Sequence, residues 1–271
     1  MPPIARSFLF VPGNRPDLFE KAYASRAHSV IVDLEDAVGP GDKGEAREAA
    51  AAWLDLSHPV LLRINAAGSE WFQEDLAIAG LPGVSAVVLP KVEEVEEVRR
   101  VGERTRPEVP LLPMIESAMG MHRAMDIACE PSVKRLVFGS WDFRRDLGID
   151  GDGEELLAFR SHVVLVSRIA GVQAPVDGVW TDISDEEGLR AHTRRGRRLG
   201  FGGTLCIHPT QIDPVNDCFR PDREEIDWAK RVLDAVTSSK GSVVALDGQM
   251  IDRPLILMAE RILCDSEERS S

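Results

Sequence analysis

Short apolar runs alternate with longer amphipathic stretches along this chain, and the alternation repeats eight times. The runs are rich in leucine and β-branched residues, which is typical of strands covered on both faces of a parallel sheet. They are SFLFV at 7–11, SVIVDL at 29–34, PVLLRI at 59–64, SAVVLP at 85–90, VPLLPMI at 109–115, KRLVFGS at 134–140, PVDGVW at 175–180 and GTLCIHP at 203–209. Eight strands separated by helices favour a closed barrel.

The stretches between the runs have helical patterns. They span 16–27, 41–54, 70–79, 92–104, 118–129, 155–170 and 185–199. Ser184 followed by Glu187 is a capping-box pattern that predicts the start of the last of these helices. The chain is therefore predicted to be α/β, a (β/α)₈ TIM barrel, and its 271 residues suit that fold. An open doubly wound sheet is the alternative, but no Gly-x-Gly-x-x-Gly or Walker A pattern supports a nucleotide fold.

Further segments follow the eighth run and exceed what a barrel needs. We predict a catalytic barrel domain over 1–220 and a C-terminal extension or lid over 221–265, with a frayed tail at 266–271. The extension contains helical patterns near 222–238 and 253–263 and an apolar stretch at 241–248. These segments are expected to cap the barrel or to reach a neighbouring subunit.

Charge and cysteine usage limit the class of protein. The formal net charge is −13, which argues against nucleic acid as the main partner. No apolar run is long enough to span a membrane or to form a secretory signal. The four cysteines are scattered and form no C-x-x-C pair, as expected of free thiols in a reducing cytoplasm.

Polar residues collect where the predicted strands end. In a (β/α)₈ barrel these ends meet on one face, where active sites are built. The residues are Pro12, Gly13, Asn14, Arg15, Asp33, Glu35, Asp36, Arg63, Asn65, Lys91, Glu116, Asp142, His208 and Gln211. This one-sided distribution predicts a site at the carboxyl ends of the strands.

Glu116 and Asp142 follow two neighbouring predicted strands. Two carboxylates together with water and substrate oxygens suit Mg²⁺, whereas no histidine cluster favours zinc or iron. The alternative is that each carboxylate caps a helix or forms a salt bridge. His208 is either a general base or a residue that fixes the turn before Pro209.

Arg63 would place a fixed cation in the mouth of the barrel. It could hold a carboxylate or stabilise a developing enolate oxygen, or it could pair with Asp33, Glu35 or Asp36, and these roles are compatible. Lys91 could reach an anionic ligand, or it could be a solvated lysine at the start of a helix.

Several motifs resemble, in order along the chain, those of the citrate lyase β-subunit-like (CitE-like) proteins of the HpcH/HpaI aldolase superfamily. They are RSFLFVPGNRP at 6–16, VDLEDAV at 32–38, LRIN at 62–65, LPKVE at 89–93, IES at 115–117, FGSWDFRRDLG at 138–148, CIHPTQI at 206–212 and GQMIDRP at 248–254. The resemblance covers about residues 6–263. It implies a TIM barrel, usually a homotrimer, with a Mg²⁺-dependent carbon–carbon lyase site for 3-hydroxyacyl thioesters such as citryl-, malyl- and citramalyl-CoA.

The resemblance also implies roles for individual residues. Glu116 and Asp142 would bind the metal, and Arg63 would contact the thioester or enolate oxygen. The final segment would cross to a neighbouring subunit and supply Asp252 as the acid/base group. By the same resemblance Asp33, Glu35 and Asp36 would form a group of acids around the metal site. Apart from the resemblance, we predict Glu35 and Asp36 as further catalytic groups, and Asp33, Pro12, Arg15 and Lys91 as substrate or cofactor contacts.

One position departs from the family pattern. Many relatives carry an acidic residue just before the metal-binding aspartate, where this chain has Trp141. A large apolar side chain there could narrow the acyl pocket or pack against the cofactor, so the departure bears on substrate choice rather than on the metal.

The combined prediction is a cytoplasmic Mg²⁺-dependent lyase that cleaves or forms malyl-CoA, citramalyl-CoA or a similar ester, with acetyl-CoA and a 2-oxo acid as the other reactants. The alternatives are a CoA-independent 2-oxo-acid aldolase, a malyl-CoA thioesterase, and a non-catalytic subunit of a citrate-lyase-type complex. The partner is expected to be a small molecule, with neither nucleic acid nor membrane, and the resemblance favours a trimer.

Overall fold

A computed structural model describes residues 5–238, 244–247 and 249–267. The chain separates into two compact units, one ending at Asn216 and the other beginning at Asp217. This division lies four residues before the predicted boundary at 220/221. In the described part of the chain, no helix is long and apolar enough to cross a membrane.

The first unit contains a closed barrel of eight parallel strands in sequential order, which confirms the predicted fold. The strands are β1 (Ser7–Pro12), β2 (Ser29–Asp33), β3 (Val60–Arg63), β4 (Val84–Leu89), β5 (Leu111–Ile115), β6 (Arg135–Phe138), β7 (Gln173–Asp177) and β8 (Gly203–Cys206). The barrel closes where β1 pairs with β8, with Ser7 opposite Thr204.

Helices follow the strands and cover the outside of the sheet. They are α1 (Phe19–Tyr23), α2 (Lys43–Trp53), α3 (Phe72–Ala79), α4 (Val95–Gly102), α5 (Ala118–His122), α6 (Ala124–Ala128), α7 (Ser140–Leu147), α8 (Leu157–Ile169), α9 (Glu186–Leu199) and α10 (Ile212–Phe219). Short 3₁₀ turns precede four of them, at Pro16–Leu18, Pro40–Asp42, Glu154–Leu156 and Pro209–Gln211.

Three local predictions need correction. The seventh strand ends at Asp177 rather than extending to 180. The single helix predicted over 118–129 is two short helices divided at Arg123, whose φ and ψ leave the helical region. The helix after β7 is capped by Asp185, which accepts a hydrogen bond from the Gly188 N–H, and not by Ser184, whose hydroxyl donates instead to Asp182.

The inside of the barrel is filled by apolar side chains from all eight strands. Because side chains alternate along a strand, about one residue in two points inward. The inner cluster consists of Phe8, Ile31, Leu61, Ala86, Val88, Leu112, Met114, Val137, Val176 and Leu205. This core holds the strands in register, so the residues that follow each strand have fixed positions on the carboxyl face.

The second unit is a helical hairpin with a small antiparallel sheet. Its elements are α11 (Arg223–Ser238), β9 (Val244–Leu246), β10 (Gln249–Ile251) and α12 (Arg253–Glu267). Ala229 and Val232 of α11 are buried with Ala259 and Ile262 of α12. The predicted stretch at 241–248 lies partly outside the described residues. The predicted tail starts too early, because Ser266 and Glu267 still belong to α12; residues 268–271 are outside the described range.

A buried ionic network supports the barrel beneath its carboxyl face at β7. Arg160 of α8 and Asp177 at the end of β7 both have fully buried side chains, and the Arg160 Nε lies 3.1 Å from Asp177 Oδ1. Arg160 also bonds Asp152 in the loop before α8, at 2.9 Å. His192 of α9 lies between the two acids, 3.3 Å from Asp152 and 3.7 Å from Asp177. Four segments of the chain are thereby linked.

This network predicts a response to acid. Burial alone would raise the pKa of Asp152, but the hydrogen bond from His192 and the charge of Arg160 hold it below its ordinary value. A carboxyl with a lowered native pKa stabilises the fold above its unfolded pKa, about 3.9, and loses this contribution as the pH falls further. Asp152→Asn should therefore be less stable than wild type at neutral pH, with the difference shrinking below about pH 4.

Urea unfolding of both proteins across this pH range measures that difference. Asp126→Asn, which changes an exposed acid on α6, is the matched control and should follow wild type throughout. A stability difference for Asp152→Asn that is independent of pH would contradict the prediction.

Candidate active site

The core of the site is an ion pair between neighbouring strands. Asp33 ends β2 and Arg63 ends β3, and the two residues are register partners. Arg63 donates from Nε to Asp33 Oδ1 and from Nη2 to Oδ2, each at 2.6 Å. This two-point geometry between a guanidinium and a carboxylate is both strong and directional. It fixes the plane of the arginine inside the barrel mouth.

The same carboxylate also shapes the loop after β2. Asp33 Oδ1 accepts the Glu35 N–H at 2.9 Å, and Oδ2 accepts the Ala37 N–H at 3.1 Å. Each oxygen therefore receives one backbone bond and one arginine bond. As a result, the loop that carries Glu35 and Asp36 is held by the residue that holds Arg63.

The remaining edge of Arg63 faces the two other acids. Its Nη1 lies 3.2 Å from Glu35 and 3.8 Å from Asp36, while its Cζ lies 4.5 Å from the centre of the Phe10 ring. Burial alone would lower the pKa of Arg63, but the charge of Asp33 and the other acids raises it above the ordinary value. The side chain is a permanent cation in a partly enclosed site.

A buried lysine that the sequence did not single out supports this loop. Lys43, at the start of α2, donates at 2.7 Å to each of three oxygens: the Leu34 carbonyl, the Glu35 carbonyl and Asn65 Oδ1. Asn65 in turn bonds the buried Asp75 at 2.6 Å. Lys43 lies in an alanine-rich stretch with an ordinary helical pattern, so its burial could not be read from periodicity. The VDLEDAV motif shortly before it was the nearest signal.

Glu116 and Asp142 lie on the other side of the mouth. Glu116 follows β5 and is almost completely buried. Its carboxylate lies against Gly139, where the Cβ atom of any other residue would collide with Oε2, so a glycine is required there. Gly139 caps α7, and Asp142 is in the first turn of that helix. The two carboxylates therefore follow the neighbouring strands β5 and β6, and the charge of Asp142 acts on Glu116.

The electrostatics of Glu116 reflect a site rich in negative charge. Burial, with repulsion from Glu35 and Asp142, raises the pKa of Glu116 to about 8. Its Oε1 accepts the Lys91 N–H at 2.6 Å. A buried carboxylate beside two others is an environment that a bound cation would stabilise.

Lys91 follows β4 and lies between the two groups of acids. Its Nζ donates to Glu35, and it also lies 3.3 Å from Asp36. Because Glu35 is buried and Lys91 is partly exposed, this is an ion pair at the edge of the site. The structure therefore pairs the predicted ligand-binding lysine with protein carboxylates.

A cavity of about 460 Å³ opens beside this cluster. It lies between the loops that follow β2 and β3. Its polar lining includes Glu35, Asp36, Lys43, Asn65, Ser69 and Lys91, and its apolar wall includes Trp71. The acidic cluster thus borders a space large enough for a small organic ligand.

The structure gives three further predicted contributors the following contacts. Pro12 ends β1, and its carbonyl accepts the Arg15 N–H at 3.0 Å. Arg15 is exposed and pairs with Asp17 through two hydrogen bonds of 2.8 and 2.7 Å. Asp252 belongs to the second unit, where its Oδ1 accepts the Leu255 N–H at 3.2 Å and caps α12.

Three other singled-out residues have clear local roles. His208 Nδ1 lies 2.8 Å from the Thr210 hydroxyl, which supports the turn-fixing role over that of a base. Gln211 bonds the Ile207 N–H and the Trp180 carbonyl, each at 2.8 Å. Trp141 is 55% exposed at the start of α7, and the Arg144 Cζ lies 5.3 Å from its ring centre.

Comparison with known proteins decides the family. The family model for HpcH/HpaI aldolase/citrate lyase matches residues 6–209. The chain belongs to this family. The match confirms the family predicted from the ordered motifs and the prediction that the chain is a lyase-type enzyme.

Individual members of the HpcH/HpaI family match over nearly the whole chain. A citrate lyase subunit beta-like protein of Deinococcus radiodurans is 37% identical, covering 97% of each sequence. A (3S)-malyl-CoA thioesterase of Cereibacter sphaeroides is 33% identical, covering 97% of this chain and 94% of that protein. The structure of Mycobacterium tuberculosis CitE with magnesium, acetoacetate and coenzyme A has a TM-score of 0.88 and 33% identity, covering 97% of this chain and 98% of the other.

Proposed function

We propose that this protein is a Mg²⁺-dependent lyase that cleaves or forms a 3-hydroxyacyl-CoA, such as malyl-CoA or citramalyl-CoA, with acetyl-CoA and a 2-oxo acid as the other reactants. The observation that carries the proposal is the buried Glu116 packed on Gly139 beside Asp142, across the barrel mouth from the Arg63 ion pair. The magnesium and coenzyme A in the related CitE structure support it.

The residues present fit magnesium. Within the described residues, no group of three or more histidine, cysteine or acidic side chains is arranged to hold a metal. Mg²⁺ does not need one, because it is commonly held by one or two carboxylates and keeps water or substrate oxygens in its other positions. Glu116 and Asp142 would be these two ligands. The charge repulsion at Glu116 is relieved when a cation binds there.

The side chains of the site would then have separate roles in the reaction. When bound, Mg²⁺ supplies Lewis-acid polarisation of substrate oxygens. Arg63 presents Nη1 toward the mouth, where a rigid guanidinium can stabilise negative charge on a thioester oxygen. Glu35 and Asp36 hold that edge in place and can accept a proton from a substrate hydroxyl. We assign protonation of the enolate carbon to Asp252, supplied by a neighbouring subunit in a homotrimer.

A thioesterase is the second candidate, and one observation favours it. The Cereibacter relatives at 32–33% identity are named (3S)-malyl-CoA thioesterase. In that reaction water attacks the thioester carbonyl, so the products are the free acid and CoA thiol. The same cation and Arg63 would stabilise the tetrahedral oxyanion. A cytoplasmic location is part of both proposals.

A product assay tests the proposal. Purified protein with Mg²⁺ is incubated with malyl-, citramalyl- and citryl-CoA while acetyl-CoA, 2-oxo acid and free thiol are measured together, with and without EDTA. We expect equal amounts of acetyl-CoA and 2-oxo acid from one substrate and loss of this activity in EDTA. Free thiol without acetyl-CoA would establish the thioesterase. Two parallel incubations complete the test, one with the free hydroxy acids in place of the CoA esters and one with an acyl-carrier protein added. Cleavage of the free hydroxy acids at the same rate would establish a CoA-independent aldolase, and activity only with the carrier protein would establish a subunit.

A further inference from the structure

The backbone at Lys91 has an unusual conformation. Its φ is +52°, in the left-handed region that non-glycine residues rarely adopt. This conformation is unfavourable for an L-residue with a side chain, and the surrounding structure must maintain it. Strain of this kind is often found at functional sites, and here it occurs one residue after Pro90, at the carboxyl face of the barrel.

The conformation gives Lys91 contacts in two directions. Its backbone N–H donates to Glu116 Oε1 at 2.6 Å, toward the strand that follows. Its side chain extends the other way and donates to Glu35, in the loop after β2. Among the described residues, the Lys91 N–H is the group that donates a hydrogen bond to the Glu116 carboxylate. One residue therefore contacts carboxylates on opposite sides of the mouth.

The two contacts act on different carboxylates, one on Glu116 and the other on Glu35. Glu116 is buried, and the hydrogen bond to its Oε1 fixes the plane of the carboxylate and therefore the direction of its Oε2. Glu35 and Glu116 repel each other. An ammonium group bonded to Glu35 reduces this repulsion and keeps Glu35 on the Arg63 side of the mouth.

We propose that Lys91 is a positioning residue with two separable roles: its left-handed backbone orients Glu116 for the cation, and its ammonium group holds Glu35 in place. The inference rests on the proposed function, because it takes Glu116 to be a magnesium ligand. It replaces the expectation that Lys91 binds an anionic part of the ligand.

Three substitutions separate the two roles. Lys91→Met removes the ammonium group but keeps an unbranched side chain, so its backbone preference resembles that of lysine. Lys91→Gly also lacks the ammonium group and adopts positive φ freely. Lys91→Val lacks the ammonium group and, being β-branched, disfavours positive φ strongly. All three variants therefore lack the ammonium group, and they differ in how readily residue 91 adopts a positive φ.

Magnesium affinity, measured by calorimetric titration without substrate, reports on the backbone role. We expect the methionine and glycine variants to bind Mg²⁺ at least as tightly as wild type, because a positive charge has been removed. The valine variant should bind about tenfold more weakly than the glycine variant, the scale for losing a group that orients a metal ligand. Turnover reports on the ammonium role and should fall about tenfold or more in all three.

Lys134→Met is the charge-matched control. Lys134 is exposed before β6, at the opposite end of the barrel, and its loss should change neither readout. Thermal melting confirms that each variant folds. If Lys91→Val does not fold, Lys91→Thr retains the β-branching with a smaller apolar group and takes its place.

The outcomes distinguish the proposals. Equal Mg²⁺ affinity in the valine and glycine variants would overturn the backbone role, and wild-type turnover in the methionine variant would overturn the ammonium role. Failure of the wild-type protein to bind Mg²⁺ would instead refute the proposed function.

Discussion

Replacing Glu116 by glutamine should lower the kcat of Mg²⁺-supported CoA-ester cleavage by about 10²–10³-fold, the scale for removing one preorganised electrostatic group from an enclosed site. The substitution keeps the shape of the side chain and its acceptor for the Lys91 N–H. It removes the negative charge that would bind the cation. Initial rates at saturating substrate, measured over a range of Mg²⁺ concentrations, test this expectation.

The fold should tolerate Glu116→Gln. Burial and the neighbouring acids raise the pKa of Glu116 to about 8 and so favour its neutral form, which glutamine resembles. A raised native pKa means that ionisation destabilises the fold as the pH rises from the unfolded value toward 8. The variant without metal should therefore melt at least as high as wild type above pH 7. Glu103→Gln, an exposed change after α4, should be fully active, and full activity of Glu116→Gln would exclude it as a metal ligand.

Replacing Arg160 by methionine should lower the free energy of unfolding by about 3–5 kcal/mol, the cost of removing one partner from a buried ion pair. Asp177 would remain fully buried at the end of β7 without its principal cation. Chemical denaturation monitored by circular dichroism measures the change.

Two matched variants test the cause of that loss. Arg26→Met removes an arginine from an exposed pair with Asp213 and should cost less than about 1 kcal/mol. Adding Asp177→Leu to Arg160→Met removes the unpaired carboxylate and should recover part of the stability. If the single and double variants are equally unstable, lost packing rather than unpaired charge is responsible.

The barrel was predictable because its signal is repeated. Each of the eight apolar runs is ambiguous alone, but their order and spacing leave few folds that bury them all. Element ends were harder to place. The seventh run, PVDGVW, has further apolar residues after Asp177. Its hydropathy pattern therefore predicts a strand that is longer than the one in the structure, which ends at Asp177. At Arg123 the side-chain pattern is still helical, and the break is in the backbone.

The site was predictable to the extent that position determines it. Residues directly after strands, such as Arg63 and Glu116, must meet at the carboxyl face of a barrel. Lys43 and Arg160 reach buried polar groups from helices. Such contacts depend on the direction each long side chain takes in the folded protein, and no periodic pattern in the sequence indicates that direction. The pairing of Lys91 with Glu35 joins loops from different strands, so it too required the folded arrangement.

The fourfold hydrogen bonding of Asp33 has a consequence for how this enzyme could acquire new substrates. A change at Asp33 would disturb both the guanidinium and the loop with Glu35, so that half of the mouth has little freedom to vary. Other residues that follow strands on the carboxyl face have open surroundings, among them Trp141 and Ile207. Substitutions there would change which acyl group binds without disturbing Asp33, its arginine partner or the loop with Glu35. Substrate selectivity can therefore change in this barrel while the groups that stabilise charge stay the same.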